Sequence, residues 1–582
     1  MAWYDEAVFY HIYPLGLTGA PKQNSYGTPE HRLNTLIPWI AHIKSIGCNA
    51  LYIGPLFESV GHGYETTDYK KLDSRLGDNK DLTDFVAECH KQGVKVIFDG
   101  VFNHTGRDFF AFKDLKEKRE GSQYRDWYCN INFGGNNEYN DGFSYENWGG
   151  YNLLVKLNQR NPAVRDYICD VIRFWVSEFD IDGIRLDAAD VLDFEFMKAL
   201  RGTANEVKAD FWLMGEVIHG DYTRWANEST LHSVTNYHLH KALYSGHNDH
   251  NYFEIAHTVK RLYDMGGSRP DGLKLYNFVD NHDVERIYTK LNNKAHFKPV
   301  HILMYTLPGI PSIYYGSEFA IEGKKERFSD DSLRPALNLA DYKDAVNTNP
   351  DTALLSALGK IRQQTKALSY GDYKELLLTN RQYAFSRNYN GESIVVTVNN
   401  DDNDYTMTLA AGGCPEYIGA LSGQRVSVSN GNICVNVKAN SGDIWVPYSE
   451  NASENIVSAD TVVEKTSPEE PPTQDAPKAD AAKTAAVPES VSAPAHEAVP
   501  GKTAEAPAET TKAPAEATEA PAEKSADNTP NNEDFERGKI AGLQEAIIAI
   551  MEKKGPVTEQ MRQDVYNNTH HGSLITWVKS FN

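Results

Sequence analysis

Over roughly the first 370 residues, short apolar runs alternate with amphipathic stretches, the pattern of repeated βα units around a parallel sheet. Eight strands are predicted, centred on Val8 to Tyr13, Ala50 to Pro55, Val94 to Asp99, Gly183 to Asp187, Trp212 to Glu216, Ser233 to Asn236, Leu275 to Asp280 and Ser312 to Tyr315. Between them, Arg32 to Ile46, Asp81 to Gln92, Val164 to Glu178 and Phe253 to Met265 carry apolar residues at helical spacing. This predicts an α/β fold, a (β/α)8 TIM barrel over residues 1–370. The rhythm breaks once, after the third strand, where His104 to about Asn161 is rich in Gly, Asn and aromatic residues. A loop that long inside a compact domain is usually functional, and residues 104–161 are expected to form a small inserted lobe beside the site.

From about Gly371 to Tyr448 the period changes to two, as in Tyr383 to Arg387 and Ile394 to Val398, with Asn-Gly turns at Asn390 and Asn430. That reads as a separate antiparallel β-sandwich domain, 371–448, lying on the barrel's flank. From Thr466 to Asn532 there is no aromatic residue and no Leu, Ile or Met, and Ala-Pro-Ala-Glu recurs at 506, 513 and 520. Such sequence buries too little to fold, so 449–533 is predicted to be a disordered linker. In 534–582 helical periodicity returns, with Ile540, Leu543, Ile547 and Ile550, and a second helical stretch runs from Val565 to Phe581. This C-terminal segment reads either as a small helical module burying its own face or as a helix pair that docks to a protein partner.

Composition narrows the partners. A net charge of −22 repels nucleic-acid phosphates and anionic membrane surfaces, and leaves neutral ligands as the natural substrates. No apolar run approaches the ~20 residues of a membrane span. The N-terminus carries neither a basic region nor an apolar core of a signal peptide, so a cytoplasmic location is expected. Six cysteines lie scattered without a CxxC pair and are read as reduced thiols, with Cys414 and Cys434 the only plausible disulfide partners.

In a barrel of this kind the reacting groups sit at the C-terminal ends of strands, and acidic residues fall there repeatedly. The third strand ends Asp99-Gly-Val-Phe-Asn103-His104, the fourth Gly183-Ile-Arg185-Leu-Asp187, the fifth Gly215-Glu216-Val217, and the seventh Phe278-Val-Asp280-Asn281-His282-Asp283. One acid at a strand end is commonly a helix cap, but four converging on one rim point to chemistry. Two readings fit: glycoside cleavage by a carboxylate nucleophile and a carboxylic acid donor, or a divalent metal site using His104 and His282. Neither His104 nor His282 belongs to an HxH or HExxH pair. Arg185, on the same strand face as Asp187, would oppose a cation and favour an ionised carboxylate.

These four motifs, in this order, resemble the signature regions of glycoside hydrolase family 13, the α-amylase family, over about Ala7 to Tyr448. The resemblance implies Asp187 as nucleophile, Glu216 as general acid/base and Asp283 as the carboxylate that stabilises the transition state. It implies Asp99, His104, Arg185 and His282 as sugar-binding and charge-tuning residues, Tyr64 of His62-Gly63-Tyr64 as an aromatic platform, and Asp330 with Arg334 as a polar pair closing the subsite. The chemistry so implied needs no cofactor. A structural calcium, at Asn103 and Asn158, is an open alternative, because α-amylases have an aspartate where Asn158 stands and an amide is the poorer ligand.

For substrate, the resemblance implies starch-derived α-glucans or maltodextrins. Leu154 to Asn158 and Ser122 to Tyr128 are similar to neopullulanases, cyclomaltodextrinases and maltogenic amylases, whereas Asp280 to Asp283 is nearer to ordinary α-amylases, and Val155 stands where those relatives have proline. Ala188 after the nucleophile position favours α-1,4 over α-1,6 linkages. The leading expectation is therefore an α-1,4-glucan hydrolase of the α-amylase type. A cyclomaltodextrinase or neopullulanase, a 4-α-glucanotransferase of the same fold, and a non-catalytic binding or scaffold protein are the alternatives. Trp225 is expected to stack on sugar, and Trp127, Tyr128, Phe133, Tyr139, Phe143, Tyr145 and Trp148 either line subsites or fill the lobe's core.

Overall fold

The computed structural model describes residues 2–266, 272–327 and 329–448. The linker (449–533) and helical module (534–582) expected from the sequence lie outside the described residues. The first 370 residues form an eight-stranded parallel sheet, β1 (Phe9–Ile12), β2 (Ala50–Ile53), β3 (Lys95–Gly100), β4 (Gly183–Leu186), β5 (Trp212–Gly215), β6 (Ser233–Val234), β7 (Tyr276–Asn277) and β8 (Ile310–Tyr314). Its order is β6-β5-β4-β3-β2-β1-β8-β7. A parallel bridge between Thr235 and Tyr276, with the Asn236 amide donating to the Tyr276 carbonyl at 2.9 Å, closes the sheet into a barrel.

Alternation along the strands creates two cores. Inward residues Phe9, Ala50, Tyr52, Ile97, Trp212, Met214, Tyr276 and Ile310 fill the barrel, with Trp212 stacked on Phe9 at 5.1 Å. Outward residues Val8, Tyr10, Ile12, Leu51, Ile53, Val96, Phe98, Ile184 and Leu213 meet the helical layer. The helices begin where local chemistry stops the strand-exit loops. Asp78 caps Asn79–Lys91 by accepting from the Asp81 amide, and Asn161 accepts from the Ala163 amide ahead of Pro162, which opens the long helix Pro162–Phe179. On that helix Trp175 is fully buried, lies 4.4 Å from Phe57 with nearly parallel rings, and donates its indole N–H to the Tyr69 carbonyl at 2.7 Å. Trp175→Ala is expected to cost about 3–5 kcal/mol, read as a lower urea midpoint; an unchanged midpoint would show that this layer does not hold the barrel.

The lobe after β3 contains a helix, Phe110–Lys118, and a three-stranded antiparallel sheet of His104–Thr105, Tyr151–Lys156 and Asn147–Trp148. The β-sandwich pairs a six-stranded sheet with a two-stranded one over Ala384, Val395, Met407, Leu409, Ile433, Val435 and Trp445. Asn390 and Gly391, both at positive φ, make the two-residue turn between the strands Gln382–Tyr389 and Glu392–Asn399, as an Asn-Gly pair favours. Arg387 fastens this domain to the barrel by donating to the Thr306 carbonyl at 2.7 Å. All six cysteines are free, Cys414 and Cys434 included. Among the described residues no helix is long and apolar enough to cross a membrane.

Candidate active site

Arg185 is the centre of the rim. Its β4 position points it into the barrel mouth, where it is almost fully buried. Nη1 donates to Asp99 Oδ1 at 2.8 Å and to Asp187 Oδ1 at 3.0 Å, while Nη2 pairs with Glu216 Oε2 at 2.8 Å. One guanidinium thus holds the acids that end three neighbouring strands. Their amides continue the ladder: Asp187 N donates to the Gly100 carbonyl and Glu216 N to that of Leu186. Glu216 also accepts from the Ala188 amide at 3.1 Å and from the Tyr237 hydroxyl at 3.4 Å.

Asp283 enters from the loop after β7. Its Oδ1 accepts from Arg334 Nη2 at 2.8 Å, and its Oδ2 lies 3.1 Å from His282 Nε2. Arg334 also donates to the His282 carbonyl and to Asp330, and its guanidinium lies over the Tyr13 ring. Tyr64, half-buried, donates its hydroxyl to Asp99 Oδ2 at 3.1 Å, faces His282 Nε2, and sets its ring nearly parallel to the His282 imidazole. His104 stands behind it, with Nε2 3.1 Å from the Tyr64 carbonyl. The structure therefore brings Tyr64, Asp99, Arg185, Asp187, Glu216, His282, Asp283, Asp330 and Arg334 to one rim, with His104 reaching it through Tyr64.

Burial pushes the Asp187 and Glu216 carboxyls above their usual range; Arg185 opposes the shift in both, while the charge of Glu216 adds to the rise in Asp187 and those of Asp283 and Asp99 add to the rise in Glu216. Two acids on one guanidinium titrate as a pair. Asp283 goes the other way. Burial pushes it up, but His282, Arg334, Arg185 and Lys325 outweigh that and hold its carboxyl well below the ordinary range. Burial keeps His282 itself neutral down to about 3, so near neutral pH the cations holding Asp283 ionised are Arg334, Arg185 and Lys325.

Asn103 and Asn158, the calcium position the resemblance left open, are tied into the lobe by their amides. Asn103 Oδ1 already accepts from Gln159 Nε2 at 3.2 Å, and Asn158 donates its amide to the Asp126 carbonyl at 3.0 Å. A hard dication prefers carboxylates to amides, and the cluster of His and Asp side chains found among the described residues, His31, Asp78 and Asp81, lies elsewhere.

Some contributors were not singled out from the sequence. Tyr52, inward on β2, donates to Asp99 at 2.8 Å. Tyr237 follows β6 directly, a strand-end position that could have marked it. Lys325, which donates to the Asp283 carbonyl and pairs with Asp330, had no such signal. Trp225 departs from expectation: it is buried beside Phe194 and so is packing, not an open platform.

A closed (β/α)8 barrel with carboxylates at successive strand ends around one arginine defines the glycoside-hydrolase class of site. The family described as the α-amylase catalytic domain matches residues 23–352, and the α-amylase C-terminal domain matches 371–445; the chain belongs to the α-amylase family, glycoside hydrolase family 13. It is similar to a cyclomaltodextrinase of Thermoanaerobacter pseudethanolicus, 31% identical over 433 residues, or 70% of this chain and 72% of that protein. It also resembles neopullulanase 2 of Thermoactinomyces vulgaris, 29% identical over 472 residues, covering 76% and 78%. Among solved structures, an Anoxybacillus α-amylase is 25% identical with a TM-score of 0.65, covering 77% of this chain and 100% of that one.

Proposed function

We propose that the protein hydrolyses α-1,4-glucosidic bonds in starch-derived glucans and maltodextrins by double displacement. In this reading residues 1–370 carry the chemistry and 371–448 buttress the barrel. The observation that supports it most is Arg185 spanning Asp187 and Glu216 on its two terminal nitrogens, which sets two coupled carboxyls side by side where a sugar ring can lie. Asp187 attacks the anomeric carbon as the bond to the leaving oxygen breaks, and Glu216 gives that oxygen its proton. Glu216 then takes a proton from water, whose oxygen attacks the same carbon from the opposite face and frees Asp187. Asp283, held ionised, faces the positive charge that develops on the ring, and Arg334 keeps it in place.

The relatives favour a second reading within this class, a cyclomaltodextrinase or neopullulanase, because proteins of those names are similar to this chain over 433 and 472 residues. The deciding experiment follows products from maltoheptaose, cyclodextrin, pullulan and soluble starch, with and without chelator, and reads the new reducing ends by proton NMR. Freshly released ends should be α, with chelator without effect. Initial β products would overturn double displacement. Cyclodextrin opened faster than starch would select the second reading, and products longer than the donor would select a 4-α-glucanotransferase.

A further inference from the structure

Tyr237 stands where the barrel closes. It is the first residue of the helix Tyr237–Asn248, which Asn236 caps by accepting from the Leu239 amide, so the chain leaving β6 turns at once into that helix. Its ring packs edge-on against Phe278, just past β7, at 5.0 Å. The hydroxyl meets two polar groups: it accepts from Asn281 Nδ2 at 3.2 Å and lies 3.4 Å from Glu216 Oε1. The Asn281 amide cannot be turned around. Its Oδ1 accepts from the Asp283 and Val284 amides at 2.8 and 3.1 Å, and a nitrogen in that place would face two N–H groups. Nδ2 is therefore the end that meets Tyr237. The phenol oxygen acts as acceptor there, and its one hydrogen is left for Glu216.

The two oxygens of the Glu216 carboxyl are not equivalent. Oε2 faces Arg185 Nη2 at 2.8 Å and the Ala188 amide at 3.1 Å, and both of these groups have only hydrogens to give. A proton on Oε2 would be set against them. Oε1 faces the Tyr237 hydroxyl, whose hydrogen rotates about the C–O bond. Of these three groups the phenol is the one that suits either protonation state of the acid. Burial, with the charges of Glu216 and Asp283 adding to it, holds the phenol far above the ordinary tyrosine range, so Tyr237 keeps its own proton. The bonds also run in one direction, from the Asp283 amide to Asn281, from Asn281 to Tyr237 and from Tyr237 to Glu216. Hydrogen bonds chained in this way polarise one another.

We propose that Tyr237 is a positioning residue for Glu216: oriented by Asn281, it confines the acid's proton to Oε1 and donates to that oxygen once the proton has passed to the glycosidic oxygen. This rests on the reading of Glu216 as general acid and base. In the second step the proton taken from water returns to Oε1, and the phenol hydrogen turns away. The test uses the full chain as native protein, Tyr237→Phe, Asn281→Ala and the double variant, labelled with carbon-13 at the glutamate side-chain carboxyls; the Glu216 resonance is the one that Glu216→Gln lacks. Loss of the phenol donor destabilises the ionised carboxyl. Its titration is therefore expected to rise by about one pH unit in Tyr237→Phe, the scale of one hydrogen bond to a charged group, and the alkaline limb of kcat/KM on maltoheptaose to rise with it. Asn281→Ala should move both the same way, and the double variant no further than Tyr237→Phe alone. A Glu216 titration that is unchanged or falls in Tyr237→Phe overturns the proposal, as does a double variant in which the two shifts add. A carboxyl titration that rises while the alkaline limb does not move refutes the general-acid reading and leaves the proton's place on Oε1 standing.

Discussion

Asp187→Gly is expected to lower maltoheptaose turnover by roughly 10^4-fold or more, the scale on which removal of a covalent nucleophile acts. Azide should restore part of it, with a β-glycosyl azide as product. The logic is geometric. Asp187 Oδ1 is held by Arg185 at 3.0 Å in a buried site, and trimming the carboxyl leaves space in which a small anion can stand beside the same guanidinium. It then attacks the anomeric carbon once and, lacking a second displacement, inverts it. Asp187→Asn keeps the shape and should show no rescue. Recovery of an α-azide, or full turnover in either variant, would remove Asp187 from the role of nucleophile.

The second large effect concerns Glu216. Burial raises its carboxyl, with Arg185 opposing and the charges of Asp283 and Asp99 adding to the rise. A general acid must be protonated to act, so kcat/KM should fall as pH increases through the raised value, and the alkaline limb should lie above an ordinary glutamate. Glu216→Gln can still accept from the Ala188 amide but transfers no proton. We expect a loss of about 10^2- to 10^4-fold on maltoheptaose, disappearance of the alkaline limb, and a much smaller loss on an α-maltosyl fluoride, whose leaving group needs no proton. A limb that persists in the glutamine variant would assign it to another group.

The strands of the barrel were readable because each must be apolar through nearly its whole length, and the acids closing them stand out against that background. Asp99, Asp187, Glu216 and Asp283 were visible for this reason, and Arg185 because strand alternation puts it on Asp187's face. The partners that tune them were harder. Tyr52 and Lys325 lie far along the chain from the acids they touch, and one-dimensional spacing carries no trace of such a contact. Trp225 was misread from its nearness to Glu216 in sequence, since the chain turns between them and the indole packs inward. The lobe's aromatics could not be sorted by type alone: Tyr139 and Tyr145 look alike in sequence, yet Arg107 carries the exposed Tyr139 ring on its guanidinium and donates to the hydroxyl of the buried Tyr145.

The eight strands are not joined with equal strength. β4 and β5 pair over four residues, as do β3 and β4, whereas β6 and β7 meet at one bridge beside two-residue strands, supported by the buried Asn236 amide on Asn277. A cylinder stitched in this way has a seam. Thermal breathing concentrates where the fewest hydrogen bonds must stretch, so Asp99, Asp187 and Glu216 ride together on the stiff wall, while Asp283 and its loop lie across the seam. The distance between Asp187 and Glu216 is fixed by the weave, and the distance from that pair to Asp283 is the dimension of the mouth that a guest can adjust.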